Sequence, residues 1–385
     1  MKGFYSTKTT FLGIPGPVEV HPRVMQAMST HLYGHRTDHF REIIHSSEEL
    51  FKPTINTQRG VYFLAGSGSL GLHSGISNLV SPGDTVLNLS AGKFGERVIE
   101  ITQRFTENQV SLTKEYGEAI KAEDVKVALE KNPDTSLVTM THNETSTAVL
   151  NPLPEISKVV HKHGALLMAD CITSAGGDEV RMDDWGIDFF VSGSQKCYGV
   201  PAGLAFVSFS EAAEEKMNKV SRNQDYYSDL LMFKKKYSKN NDTPFTPAVS
   251  LIYGLHESLK IITEEGMENR ITRHRKMGEL YRSALNNLGV ELLAEKGYRS
   301  NTVTAALFPE GVDSKKFMSS FIEMGLLPAG GQGSLKNRIW RLGHMNMVGP
   351  REILSFVSTV EYALKKSGYT FELGTGVKAV LEGLT

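Results

Sequence analysis

Lys196, Asp170 and the run Gly66-Ser67-Gly68-Ser69-Leu70-Gly71 are the residues whose types and placement point most directly to chemistry. The glycine-serine run follows the strand-like VYFLA and opens a helix-like stretch, so unpaired backbone N–H groups and the helix dipole converge there on an anion. A phosphate is the natural occupant, although a tight glycine turn without a ligand produces the same pattern. Asp170 closes the apolar run ALLMAD, where a carboxylate is costly unless it meets a cation or a donor; a helix cap is the plainer reading. The next apolar run, DFFVSGS, leads straight into Gln195-Lys196. An amine among apolar walls has its pKa lowered and becomes a nucleophile towards an aldehyde, whereas spacing alone leaves a surface lysine equally open. Taken together, the three groups suit a phosphorylated pyridine aldehyde. The turn would take the phosphate and the lysine the aldehyde carbon, while the carboxylate keeps the ring nitrogen protonated so that the ring is an electron sink.

Elements able to bring these groups together are visible in the pattern. From Val61 onward, short apolar runs (VYFLA, TVLNLS, LVTMT, ALLMAD, DFFVSGS, LAFVSFS) alternate with amphipathic stretches such as Phe94 to Phe105 and Pro154 to His163. This alternation predicts an α/β fold with a mostly parallel sheet between helices, and such sheets bind ligands at the polar ends of their strands. A loop from Lys239 to Pro247 precedes a long helix-like stretch, Ser250 to about Leu288, interrupted near Gly266. The expected division is an N-terminal segment 1–20, a large domain 21–265 and a small α+β domain 266–385. The last of these pairs the strand-like NTVTAALF and RIWRLG with helices from Ser314 to Met324 and Pro350 to Lys365, followed by a helical tail after Gly368.

Composition sets limits. The chain has 385 residues, 40% hydrophobic and 22% charged, with 42 basic against 43 acidic side chains. That range suits a globular enzyme, and the balance offers no electrostatic footprint for nucleic acid or an acidic membrane. Two cysteines, Cys171 and Cys197, make no disulfide framework and suit a reducing compartment, so a cytoplasmic location is expected; no apolar run reaches membrane-spanning length. GSGSLG also fits G-x-G-x-x-G, which raises a nicotinamide-dependent dehydrogenase as a rival. That fold expects an acidic residue ending the next strand, and TVLNLS ends in Asn88, Leu89 and Ser90. His31, His35 and His39 recur every four residues, but Gly34 interrupts the helix they would need and no metal site is expected.

The segments SGSQKCYGVPAG, MADCITSAGG and THNETST resemble those of the class V, fold-type I aminotransferases, and most closely the alanine-glyoxylate and serine-pyruvate enzymes. GIPGPVEVHPRV, GHRTDHF, AGSGSLGLHSGISNLVSPGD, AGKFGER and RLGHMN extend the resemblance in family order through nearly the whole chain. It implies pyridoxal 5′-phosphate as cofactor, with Lys196 as the Schiff-base lysine and Asp170 as partner of the pyridine nitrogen. It also implies that Ser67, Gly68, Ser69 and Gln195 hold the phosphate. Phe94 matches an aromatic stacked on the ring, usually tryptophan or tyrosine; Ile172 matches the apolar residue on the other face, and Thr145 a hydroxyl bonded to the ring oxygen. Arg341 falls at the arginine for the substrate α-carboxylate, and Arg36 lies in a loop near the substrate entrance, where a second carboxylate would meet it. A homodimer is implied, with Thr243 and Thr246 reaching the partner's phosphate; Thr243 departs from the tyrosine of some relatives.

The activity so implied is transamination of a small amino acid, of the alanine or serine type, with glyoxylate or pyruvate as acceptor. Aspartate or aminophosphonate donors are alternatives, as is desulfurase or lyase chemistry, although Phe94 stands where related desulfurases stack a histidine.

Overall fold

The computed structural model describes residues 10–220 and 225–385. Its centre is a seven-stranded sheet of β1 (Val61–Ala65), β2 (Thr85–Ser90), β3 (Gln109–Thr113), β4 (Thr135–Thr141), β5 (Leu166–Asp170), β6 (Phe189–Gly193) and β7 (Leu204–Phe209). The spatial order is β1-β7-β6-β5-β4-β2-β3. Neighbours from β6 through β3 run parallel, while β7 lies antiparallel to both β6 and β1. The mostly parallel sheet expected from the alternation is therefore present, with one reversed strand inside it. β3 escapes the apolar-run pattern because it is an edge strand, with Ser111 and Thr113 exposed.

Strands with both faces covered read as continuous apolar runs, and β6 and β7 are buried at every residue. The helix Gly68–Leu79 packs closely on them at Gly71 and Gly75, where a Cβ would come within 2.6 Å of Val191 and 2.7 Å of Phe189. The long stretch after the Lys239–Pro247 loop forms two helices, Val249–Glu265 and Met267–Asn287, separated by Gly266 at φ 79°. A glycine suits that turn, since a left-handed φ costs any side chain bearing a Cβ. Beyond it, strands Val303–Leu307, Ile339–Gly343 and Ala329–Gly330 form a second sheet, covered by helices Ser314–Glu323 and Pro350–Lys366. One large hydrophobic cluster runs from Val24 to Ile262 and another from Met277 to Val380. Phe11 and Leu12 join the second body, because they pair in parallel with Leu326 and Leu327.

Candidate active site

The loops leaving β1, β2, β4, β5 and β6 enclose a cavity of about 320 Å³ at one edge of the central sheet. Its walls carry Ser67, Gly68 and Ser69 after β1, Phe94 after β2 and Thr145 after β4. Asp170 and Ile172 come from the end of β5, and Gln195 and Lys196 from the turn after β6. Ser67 and Lys196, 129 positions apart, meet there because parallel strands deliver their C-terminal ends to the same side.

Each group has a local cause for its position. Ser67 is the extended residue before the helix Gly68–Leu79, whose first N–H groups have no partner inside the helix. Gly68 lies so close to the opposite wall that a Cβ there would come within 2.5 Å of Ile172 Cδ1. Phe94 sits in the first turn of the helix Lys93–Thr102, and that turn is capped from a distance. Ser146 Oγ accepts the N–H of Lys93 at 3.0 Å, and Glu144 Oε2 accepts those of Phe94 and Gly95 at 3.0 and 3.1 Å. Thr145 Oγ1 lies 2.6 Å from Thr173 Oγ1, which fixes its hydroxyl.

The electrostatics are those of a reactive site. Lys196 is 8% exposed, and burial, with Arg341 and Arg97 nearby, lowers its amine to about 8 against opposing help from Cys197 and Asp170. The ammonium donates to the carbonyl of Pro15. Asp170 is 4% exposed, and burial raises its carboxyl to about 7, with the N–H of Ile172 on Oδ1 at 2.9 Å opposing the shift. A buried amine near neutrality and a buried carboxyl in one cavity are groups whose pKa values have been moved towards working pH.

Three further polar atoms lack a partner among the described residues although buried: Thr141 Oγ1, Asn143 Oδ1 and Gln195 Oε1. All three residues line this cavity. Buried polar groups are nearly always satisfied, so their convergence marks a place for a polar ligand. The volume falls at the small end of ligand sites, roughly 300–1,000 Å³. A phosphorylated pyridine fits this set: apolar walls from Phe94 and Ile172, a helix N-terminus for the phosphate, Asp170 and Lys196 for the ring nitrogen and the aldehyde.

Arg341 stands behind this wall. It is 5% exposed, donates through Nη1 to the Thr145 carbonyl at 2.9 Å and through Nε and Nη2 to the Gly330 carbonyl at 3.1 and 2.8 Å. Arg36, Thr243 and Thr246 are not among the residues lining the cavity. Arg36 instead pairs with Asp242 at 2.8 Å and donates to the Thr243 carbonyl at 2.6 Å, and Thr246 is exposed. Conversely, Gly16, Pro17, Arg97, Thr141, Asn143 and Thr173 line the cavity without having been singled out by sequence pattern. Gly16 has a φ of 100°, and a Cβ on it would approach Lys196 Cδ to 2.6 Å, so the N-terminal segment closes over the lysine only as glycine. The quoted segments GIPGPVEVHPRV, AGKFGER and THNETST contain most of these residues, but spacing assigned them no partner.

Comparison with known proteins shows the family. Residues 15–343 match the family model described as aminotransferase class-V. An uncharacterised aminotransferase of Methanocaldococcus jannaschii is 39% identical over 374 residues, covering 97% of each chain. The serine–glyoxylate aminotransferase of Methylorubrum extorquens is 32% identical, covering 96% of this chain and 94% of its own. The crystal structure of ureidoglycine–glyoxylate aminotransferase from Bacillus subtilis superposes with a TM-score of 0.93 at 28% identity, covering 98% of both chains.

Proposed function

Because the chain belongs to the class-V aminotransferases, enzymes dependent on pyridoxal 5′-phosphate, we propose that it moves the amino group of a small amino acid, of the alanine or serine type, to glyoxylate or pyruvate. The observation that carries this reading is the single cavity in which a buried Lys196, lowered to about 8, faces a buried Asp170. The serine–glyoxylate and ureidoglycine–glyoxylate enzymes both use glyoxylate according to their names and differ in donor, which supports the acceptor more than the donor.

In this reading the bound cofactor supplies an electron sink for the Cα–H bond of the substrate. Lys196 Nζ would hold the cofactor, and the same amine would take the substrate Cα proton and return it. A base whose pKa lies near neutrality is matched to that transfer in both directions. Asp170 holds a proton on the ring nitrogen, where burial strengthens the pair. Ser67, Gly68, Ser69 and Gln195 would hold the phosphate, Phe94 and Ile172 the ring, and the Thr145 hydroxyl would meet its oxygen. Arg341 spends three of its five N–H donors on carbonyls; the other two are assigned to the substrate carboxylate.

The same reading divides the chain into a cofactor domain, 21–265, and a small domain, 266–385, supported by the two hydrophobic clusters. It takes the working unit as a cytoplasmic homodimer in which the exposed Thr246 faces the second copy's phosphate and Arg36 lies near the substrate entrance; Thr243, expected beside Thr246, is instead buried and donates its hydroxyl to the Phe245 carbonyl at 2.6 Å. Light scattering, by reporting the mass of one chain or of two, tests that assembly. Among the described residues no helix is long and apolar enough to cross a membrane.

The deciding experiment adds amino acids singly to the yellow cofactor-loaded protein. A true donor bleaches the visible absorbance, and glyoxylate or pyruvate restores it. If no donor bleaches the protein, transamination is refuted.

A further inference from the structure

We propose that Arg97 is the charge partner of the cofactor phosphate, an inference that rests on the cofactor site proposed above. Arg97 lies three residues after Phe94 on the helix Lys93–Thr102, and its guanidinium carbon is 4.9 Å from the centre of the Phe94 ring. Nη1 donates to Ser69 Oγ at 3.3 Å, which places the guanidinium on the turn assigned to the phosphate. Its charge already reaches the cavity, where it favours the ionised form of Asp170 and disfavours the ammonium of Lys196.

The charge balance favours this contact. Among the described residues lining the cavity, Lys196 and Arg97 are the only basic side chains, and Lys196 is committed to the aldehyde carbon. A phosphate monoester brings roughly 1.5 to 2 negative charges, while the carboxylate of Asp170 is matched by the proton on the ring nitrogen. Ser67, Ser69 and Gln195 are neutral donors, and a helix N-terminus contributes only about half a positive charge. Arg97 supplies the remaining full cation, and its planar fork matches two phosphate oxygens at once. The plainer role, a surface arginine packed on Phe94, predicts equal service to any ring in the cavity, phosphorylated or not.

That difference gives the test. The full chain stripped of cofactor is titrated with pyridoxal 5′-phosphate and, separately, with pyridoxal, and both dissociation constants are read by absorbance. Arg97→Met, which keeps an apolar stem over Phe94, should weaken pyridoxal phosphate by about ten- to a hundredfold and leave pyridoxal within about threefold. Arg97→Lys should fall between Arg97→Met and wild type for the phosphorylated ligand. Equal weakening of both ligands, or unchanged affinity for the phosphorylated one, would overturn the assignment while leaving the cofactor reading intact. A wild-type chain that binds neither ligand would overturn both.

Discussion

Glu144 Oε2 accepts the backbone N–H of Phe94 at 3.0 Å, so a fully buried carboxylate anchors the turn that presents the ring. The same carboxyl takes the N–H of Gly95 and, through Oε1, the N–H and hydroxyl of Ser146. Burial pushes its pKa up and the four bonds pull it down. Glu144→Ala would strand these donors, and a stability loss of about 2–4 kcal/mol is expected in chemical denaturation. Glu144→Gln, which retains an acceptor, should lose less. A Glu144→Ala variant as stable as wild type would contradict the capping role.

Lys196 carries the sharpest kinetic prediction. Lys196→Ala should lower turnover by at least about 10²–10⁴-fold and leave cofactor bound only without a covalent link, so that borohydride fails to fix it to the chain. Normal turnover in this variant would refute the whole site assignment.

The lowered amine also sets a pH profile. Covalent capture of pyridoxal by the cofactor-free protein needs neutral Nζ. Its rate should climb with pH and level off above about 8, whereas an ordinary lysine titrates near 10.4. A midpoint close to 10 would show that burial does not tune this amine.

Asp170 makes a linkage prediction for the cofactor-free protein. Its folded pKa of about 7 lies above the roughly 3.9 of an unfolded aspartate. The folded chain therefore binds the extra proton between these values, and Asp170 costs stability progressively as pH rises from about 4 to 7. Asp170→Asn should gain on wild type across that window and show no further gain above it, read from denaturation midpoints at each pH. A difference independent of pH would contradict the raised pKa. With cofactor, the same variant should lose most of its turnover, because the ring nitrogen loses its anion.

Arg341→Lys tests the substrate carboxylate. The planar fork is lost while the charge remains, and KM for the amino donor should rise by about tenfold or more. Cofactor affinity should change little, since Arg341 stands behind Thr145 instead of lining the cavity. An unchanged KM would move the carboxylate site elsewhere.

Much of the site is legible in the chain because its central groups are local consequences of strand endings. Ser67 to Ser69, Asp170 and Lys196 each follow an apolar run directly, and a parallel sheet must collect such endings at one edge. The two helices around Gly266 and the second sheet follow from periodicity and glycine placement in the same way. The reversal of β7 is not legible, because a strand buried on both faces has the same composition in either direction.

The sequence by itself therefore pointed to the chemistry, placing a glycine-serine turn, a carboxylate and an amine at the ends of β1, β5 and β6, within segments whose order resembles one family. Tertiary structure decided which distant groups complete it. Pro15 and Gly16 close over Lys196 from about 180 residues away, Glu144 steadies Phe94 across 50 residues, and Arg341 bonds the Thr145 carbonyl across 196. Arg97 is drawn to Ser69 across 28. None of these pairs has a spacing that local periodicity encodes, since each depends on how helices and a second domain pack around the sheet. Burial in that packing, and not residue type, brings Lys196 and Asp170 to the edge of neutrality.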